Sequence, residues 1–145
     1  AGEAGKGEAF AELAASGPGG YSALARFKLA EALAASGDAA AAIEALNAVE
    51  TTEAPARYKD LARLLALGLR SYTESAENLL PLVEPMAAPG EPWRWIAEEQ
   101  AAMLEWKLGR LDAARARLKA LGADLSAPQG LRARAAAALT ALPEG

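Results

Sequence analysis

Three glutamates, Glu98, Glu99 and Glu105, fall within eight residues of one another. In that pattern the chemistry to weigh is proton transfer or a carboxylate-bridged metal pair. Metal pairs of this kind in helical bundles take Glu together with Glu-x-x-His, and the chain has no histidine. The three acids therefore read as a solvated helix face. With no cysteine either, thiolate nucleophiles, disulfides, zinc-thiolate sites and imidazole bases are all excluded. Catalysis would have to rest on carboxylates, hydroxyls and amines alone, so the chain is read as no enzyme, with no cofactor and no metal.

Two other groups invite a ligand. The run Gly17-Pro18-Gly19-Gly20 lacks the Lys-Ser/Thr that a phosphate-cradling loop needs and has no strand before it, so it reads as a connector. Arg110, Arg115, Arg117, Lys119, Arg132 and Arg134 make residues 106 to 145 basic, with 7 bases against 3 acids, whereas residues 1 to 105 carry 16 acids and 8 bases. Nucleic-acid recognition would join such charge to stacking aromatics or a recognition helix, and neither is evident. The basic residues read as an ordinary solvated surface on a chain of net charge −4.

The elements that must position these residues are helices. Among 145 residues 40 are Ala and 22 are Leu, while Val, Ile and Thr together number eight, which starves a sheet and favours helix. The length suits one domain, and no run of 18 or more apolar residues suggests a membrane span. Breaks at Gly17–Gly20, Gly37-Asp38, Thr51–Pro55, Pro89–Pro92, Gly109-Arg110 and Gly122–Pro128 predict eight helices. Their approximate ranges are 4–16, 21–36, 39–50, 53–70, 73–87, 92–108, 111–121 and 127–142. Ser71 with Glu74, and Ser126 with Gln129, have the spacing of capping boxes.

Three apolar stripes recur at helical spacing: Ala42, Leu46, Val49; Ala76, Leu80, Val83; and Ala114, Leu118, Leu121. Gly37 and Gly109 precede the first and third stripes by the same five residues. This is an internal repeat of helix pairs. With Leu29-Ala30, Leu33, Gly37-Asp38, Ala42, Leu46, Val49 and Pro55 in one unit, and Ala101-Ala102, Gly109, Leu111, Ala114, Leu118 and Leu121 in another, the chain resembles the tetratricopeptide repeat family. The middle unit departs from it, with Ser71-Tyr72 at the turn and Leu64 at the small position. The expected fold is all-α: a single-domain α-solenoid of about three such pairs (21–50, 53–87, 92–121), with an extra N-terminal helix 4–16 and a capping helix 127–142.

The family resemblance implies a protein-interaction module whose ligand-binding groove is lined by the first helix of each pair. Its candidate residues are Leu24, Phe27 and Glu31; Tyr58, Leu61 and Leu65; and Glu99, Met103 and Trp106. These are not the Lys, Arg and Asn of a carboxylate clamp. The other reading is a structural, self-associating scaffold in which helices 4–16 and 127–142 fill that groove. Of the tryptophans, Trp95 reads as packing and Trp93 as the contact candidate.

A narrower resemblance lies in Phe10-Ala11-Glu12-Leu13, Gly20-Tyr21-Ser22-Ala23-Leu24-Ala25 and Leu29-Ala30, which look like the opening of the soluble part of the bacterial ancillary SecYEG translocon subunit family. It implies a bacterial inner-membrane protein whose domain faces the periplasm, with the secretion translocon or periplasmic chaperones as partners. A chain opening on Ala1 rather than Met is expected to have lost a front segment, and the resemblance implies that this held a membrane anchor. Without the resemblance a cytoplasmic location is expected.

Overall fold

A computed structural model describes residues 18–144, and the expected helix 4–16 lies outside them. Among the described residues the fold is all-helical: α1 (Gly19–Ala35), α2 (Ala39–Asn47), α3 (Ala56–Arg70), α4 (Ala76–Val83), α5 (Arg94–Lys107), α6 (Leu111–Ala123) and α7 (Gln129–Ala141). Short 3-10 turns, Ala48–Thr51 and Glu84–Ala87, extend α2 and α4. Among the described residues no helix is long and apolar enough to cross a membrane. The chain divides after Arg70 into two compact units. α3 closes the first and α4 opens the second, so the expected middle pair is split between units, while the first and third pairs each lie within one.

Those two pairs turn in the same way. At Gly37 the chain enters the left-handed region (φ 89°), the Asp38 N–H donates to the Leu33 carbonyl and the Gly37 N–H to that of Ala34. At Gly109 (φ 74°) the Arg110 N–H donates to Glu105 and the Gly109 N–H to Trp106. Both are the glycine-ended helix stop that satisfies the last carbonyls. Asp38 then caps α2 by accepting from the Ala41 N–H at 3.0 Å. The 72-residue spacing of the two glycines is thus a repeat of backbone geometry.

In the first unit α1 packs on α2 and α2 on α3 around Ala23, Ala30, Ala42, Ala45, Leu46, Val49, Ala62 and Ala66. Alanine at so many facing positions lets backbones approach closely and leaves the volume to Phe27, Leu33, Ile43, Tyr58 and Leu69 at the edges. In the second unit α5 is central, touching α4, Glu84–Ala87, α6 and α7. Its core joins Ala102, Ala114, Leu118, Leu121, Ala135 and Leu142, edged by Trp95, Met103 and Trp106. All nine residues of the three stripes are buried.

Helix ends differ from expectation at two caps. α4 starts at Ser75, whose hydroxyl accepts from the Glu77 N–H, because Ser71 falls in the turn that follows α3. Ser126 caps nothing: its hydroxyl donates to Asp124, and Pro128 begins α7 with no side-chain cap.

An added Cβ at Gly37 or Gly109 would meet nothing within 4 Å, so only backbone strain opposes it. Gly37→Ala and Gly109→Ala should each cost about 1–2 kcal/mol in urea unfolding, the penalty of the left-handed conformation. Gly122→Ala, inside α6 and in ordinary van der Waals contact, should instead gain about 0.5–1 kcal/mol.

Candidate functional site

A concavity of about 400 Å³ opens in the second unit between α5 and α6. α5 supplies Arg94, Trp95, Glu98 and Glu105, which the helical repeat brings onto neighbouring turns. α6 supplies Ala113, Ala116, Arg117, Ala120 and Leu121, and Asp124 follows at its end. The two walls differ in kind: one is charged, the other is chiefly alanine methyl.

Arg117, reaching across from α6, is the hub of the charged groups. Its guanidinium donates to both oxygens of Glu105 (3.2 and 2.9 Å), to Glu98 Oε2 at 2.8 Å and to Glu84 Oε1 at 2.7 Å. The Glu105 side chain is only 8% exposed, against 49% for Glu84. A carboxylate buried to that degree is sustainable only with a cation paired directly to it. In return, the hydrogen bond that Arg117 donates to Glu105, opposed by desolvation and aided by Glu98, holds Arg117 charged beyond arginine's ordinary range.

A second cluster closes the other end. Asp124 Oδ2 accepts from Arg94 at 2.9 Å and from the Trp95 Nε1–H at 3.0 Å, while Oδ1 accepts the Ser126 hydroxyl and the Ser126 N–H. These donors, the Ser126 hydroxyl first and Trp95 next, lower the Asp124 carboxyl to about 2. Arg94 also lies over the Trp95 ring, 5.3 Å from its centroid. Trp95 therefore packs on the core with its body and orders the cleft rim with its polar edge.

The sequence-predicted groove residues are distributed over both units. Leu24 (55% exposed) and Leu65 (36%) face solvent, and Glu31 is exposed and pairs with Lys28 at 3.1 Å. Phe27 and Tyr58 pack against the same first-unit core, and Leu61 is half-buried. In the second unit Met103 and Trp106 edge the core, and Glu99 pairs with Arg134 of α7 at 2.8 Å.

The reading of Glu98, Glu99 and Glu105 as a solvated face is corrected: all three accept hydrogen bonds from arginines, and Glu105 is buried. Arg117, 20% exposed, likewise leaves the solvated basic surface, whereas Arg134 stays exposed while it pairs with Glu99. Among the described residues no group of three or more acids is arranged to hold a metal ion. Glu84, Arg94, Arg117 and Asp124 were not legible as site residues. The available signal was Glu98 and Glu105, seven apart and hence on one helix face, with Glu105 next to the core residue Leu104. Comparison with protein-family models, curated proteins and solved structures finds no match.

A folded-state carboxyl lowered to about 2 contributes stability that is present above its ordinary value of 3.8 and is lost as pH falls through about 2. The Trp95 indole resonance should accordingly stay constant down to about pH 4 and shift only as Asp124 is protonated below it. In Asp124→Asn it should sit at a different position and no longer follow that titration.

Proposed function

We propose that this chain is a non-enzymatic protein-interaction module built of tetratricopeptide-like helix pairs. The supporting observation is apolar exposure on helix faces. Tyr21 and Leu24, one turn apart on α1, are 65% and 55% exposed, and Leu65 stands exposed on α3. Large apolar side chains grouped at helical spacing and left in water mark a surface that a partner covers. The finer reading is that the module works at the periplasmic face of the bacterial inner membrane, with translocon or chaperone subunits as partners. It rests on the sequence resemblance of Gly20–Ala25 and Leu29-Ala30.

A second reading has an observation of its own. Phe27, Tyr58, Met103 and Trp106 are occupied against the cores of their own units, as a scaffold with a filled groove requires. The two readings separate at the residues that remain exposed.

Capture from detergent-solubilised bacterial membranes should compare the wild-type chain with Leu24→Glu/Leu65→Glu, both positions being exposed enough to leave the fold intact. Recovery of translocon or chaperone subunits is expected to fall about tenfold or more in the variant, the effect of losing about 1.4 kcal/mol or more of contact. Equal recovery by both proteins would count against this surface, and no recovery by either would favour the scaffold.

A further inference from the structure

The cleft between α5 and α6 holds more negative charge than its own cations answer. Asp124 and Arg94 match one for one, but among the described residues Arg117 alone pairs with Glu84, Glu98 and Glu105. Two carboxylate charges are left over: Glu98 lines the concavity, and Glu84 stands outside the lining and joins it through Arg117. Arg117 reaches one oxygen of Glu84 and one of Glu98, so each keeps a second acceptor that it does not engage. Across from them Ala113, Ala116 and Ala120 are exposed on α6 and line the concavity. The other bases of α6 are directed elsewhere: Arg115 to Asp112 and the Pro143 carbonyl, with Lys119 at a helix position off the cleft face.

We propose that this cleft receives a lysine or arginine side chain carried by a segment of a partner protein. The methylene stem lies along the alanine wall and Leu121, and the cationic head at Glu98, on the side where Arg117 ties in Glu84. Such a side chain is amphipathic in the same sense as the cleft, apolar along its length and charged at its tip. An anionic group would meet the two surplus carboxylates, and a bare metal ion would have to share them with the Arg117 guanidinium. The proposal rests on the interaction reading above and adds a second contact surface with its own chemistry.

Short alanine-rich peptides, fluorescein-labelled and differing only in a central Lys, Arg, norleucine or Glu, provide the probe. Anisotropy measures binding to the full chain, and the Trp95 indole resonance reports whether the cleft is the place. Lys and Arg peptides should bind about tenfold or more tighter than norleucine, with the Glu peptide weakest, a preference that weakens with salt. Trp95 should move with the same midpoint. Glu84→Gln, at an exposed position, and Glu84→Gln/Glu98→Gln should progressively erase the preference. Ala116→Lys, which tethers a cation within the cleft, should block the Lys peptide while circular dichroism stays that of the wild type.

Equal binding of Lys and norleucine peptides, binding that leaves Trp95 unmoved, or no binding at all would overturn the proposal. So would a Trp95 shift driven by protein concentration without peptide, which would assign the cleft to a second copy of the chain. None of these results touches the Leu24 and Leu65 surface, so failure here and failure of the interaction reading are distinguishable.

Discussion

The second unit depends on one buried ion pair. Glu105 sits on α5 among Ala101, Ala102 and Leu104, positions that a helix-packing code would give to apolar residues. Its charge there is held by Arg117 of α6, which in turn ties in Glu98 and, through Glu84, the short turn after α4. Three segments of chain are thereby fixed around one guanidinium. An apolar pair would pack the same space at no desolvation cost, so the arrangement is explained better by the charge it displays than by stability.

The same helix pair shows how a repeat can diverge while its frame persists. Gly37 and Gly109 make the same turn because only the backbone conformation matters there. The first pair fills its interior with alanines and edges it with Phe27 and Tyr58. The third keeps Ala102 and Ala114 at the contact but converts one outer groove into the charged cleft. Helix pairing is thus carried by small residues and glycines, and the local charge by what stands beside them.

This division also explains what could be read from the residues alone. The stripes Ala42-Leu46-Val49, Ala76-Leu80-Val83 and Ala114-Leu118-Leu121 were legible because burial follows the helical period, and every member is buried. The caps were less so: Ser71 and Ser75 are both hydroxyls before an apolar run, and only the extent of the turn after α3 selects Ser75. The cleft was illegible because its partners lie 12, 19 and 33 residues from Arg117 and meet only through packing of α5 on α6. Tertiary ion pairs leave no periodic trace. A glutamate at a core-adjacent position was the single hint.

On this geometry Arg117 and Glu105 act as one unit that holds the cleft together. A double-mutant cycle with Arg117→Met, Glu105→Leu and the combination, followed by urea unfolding, tests it most directly. Each single variant should lose about 3 kcal/mol, since it strands or unbalances a buried charge, while the double variant should recover to near wild-type stability. Additive losses, with a coupling energy near zero, would contradict the account and reduce the pair to two independent side chains.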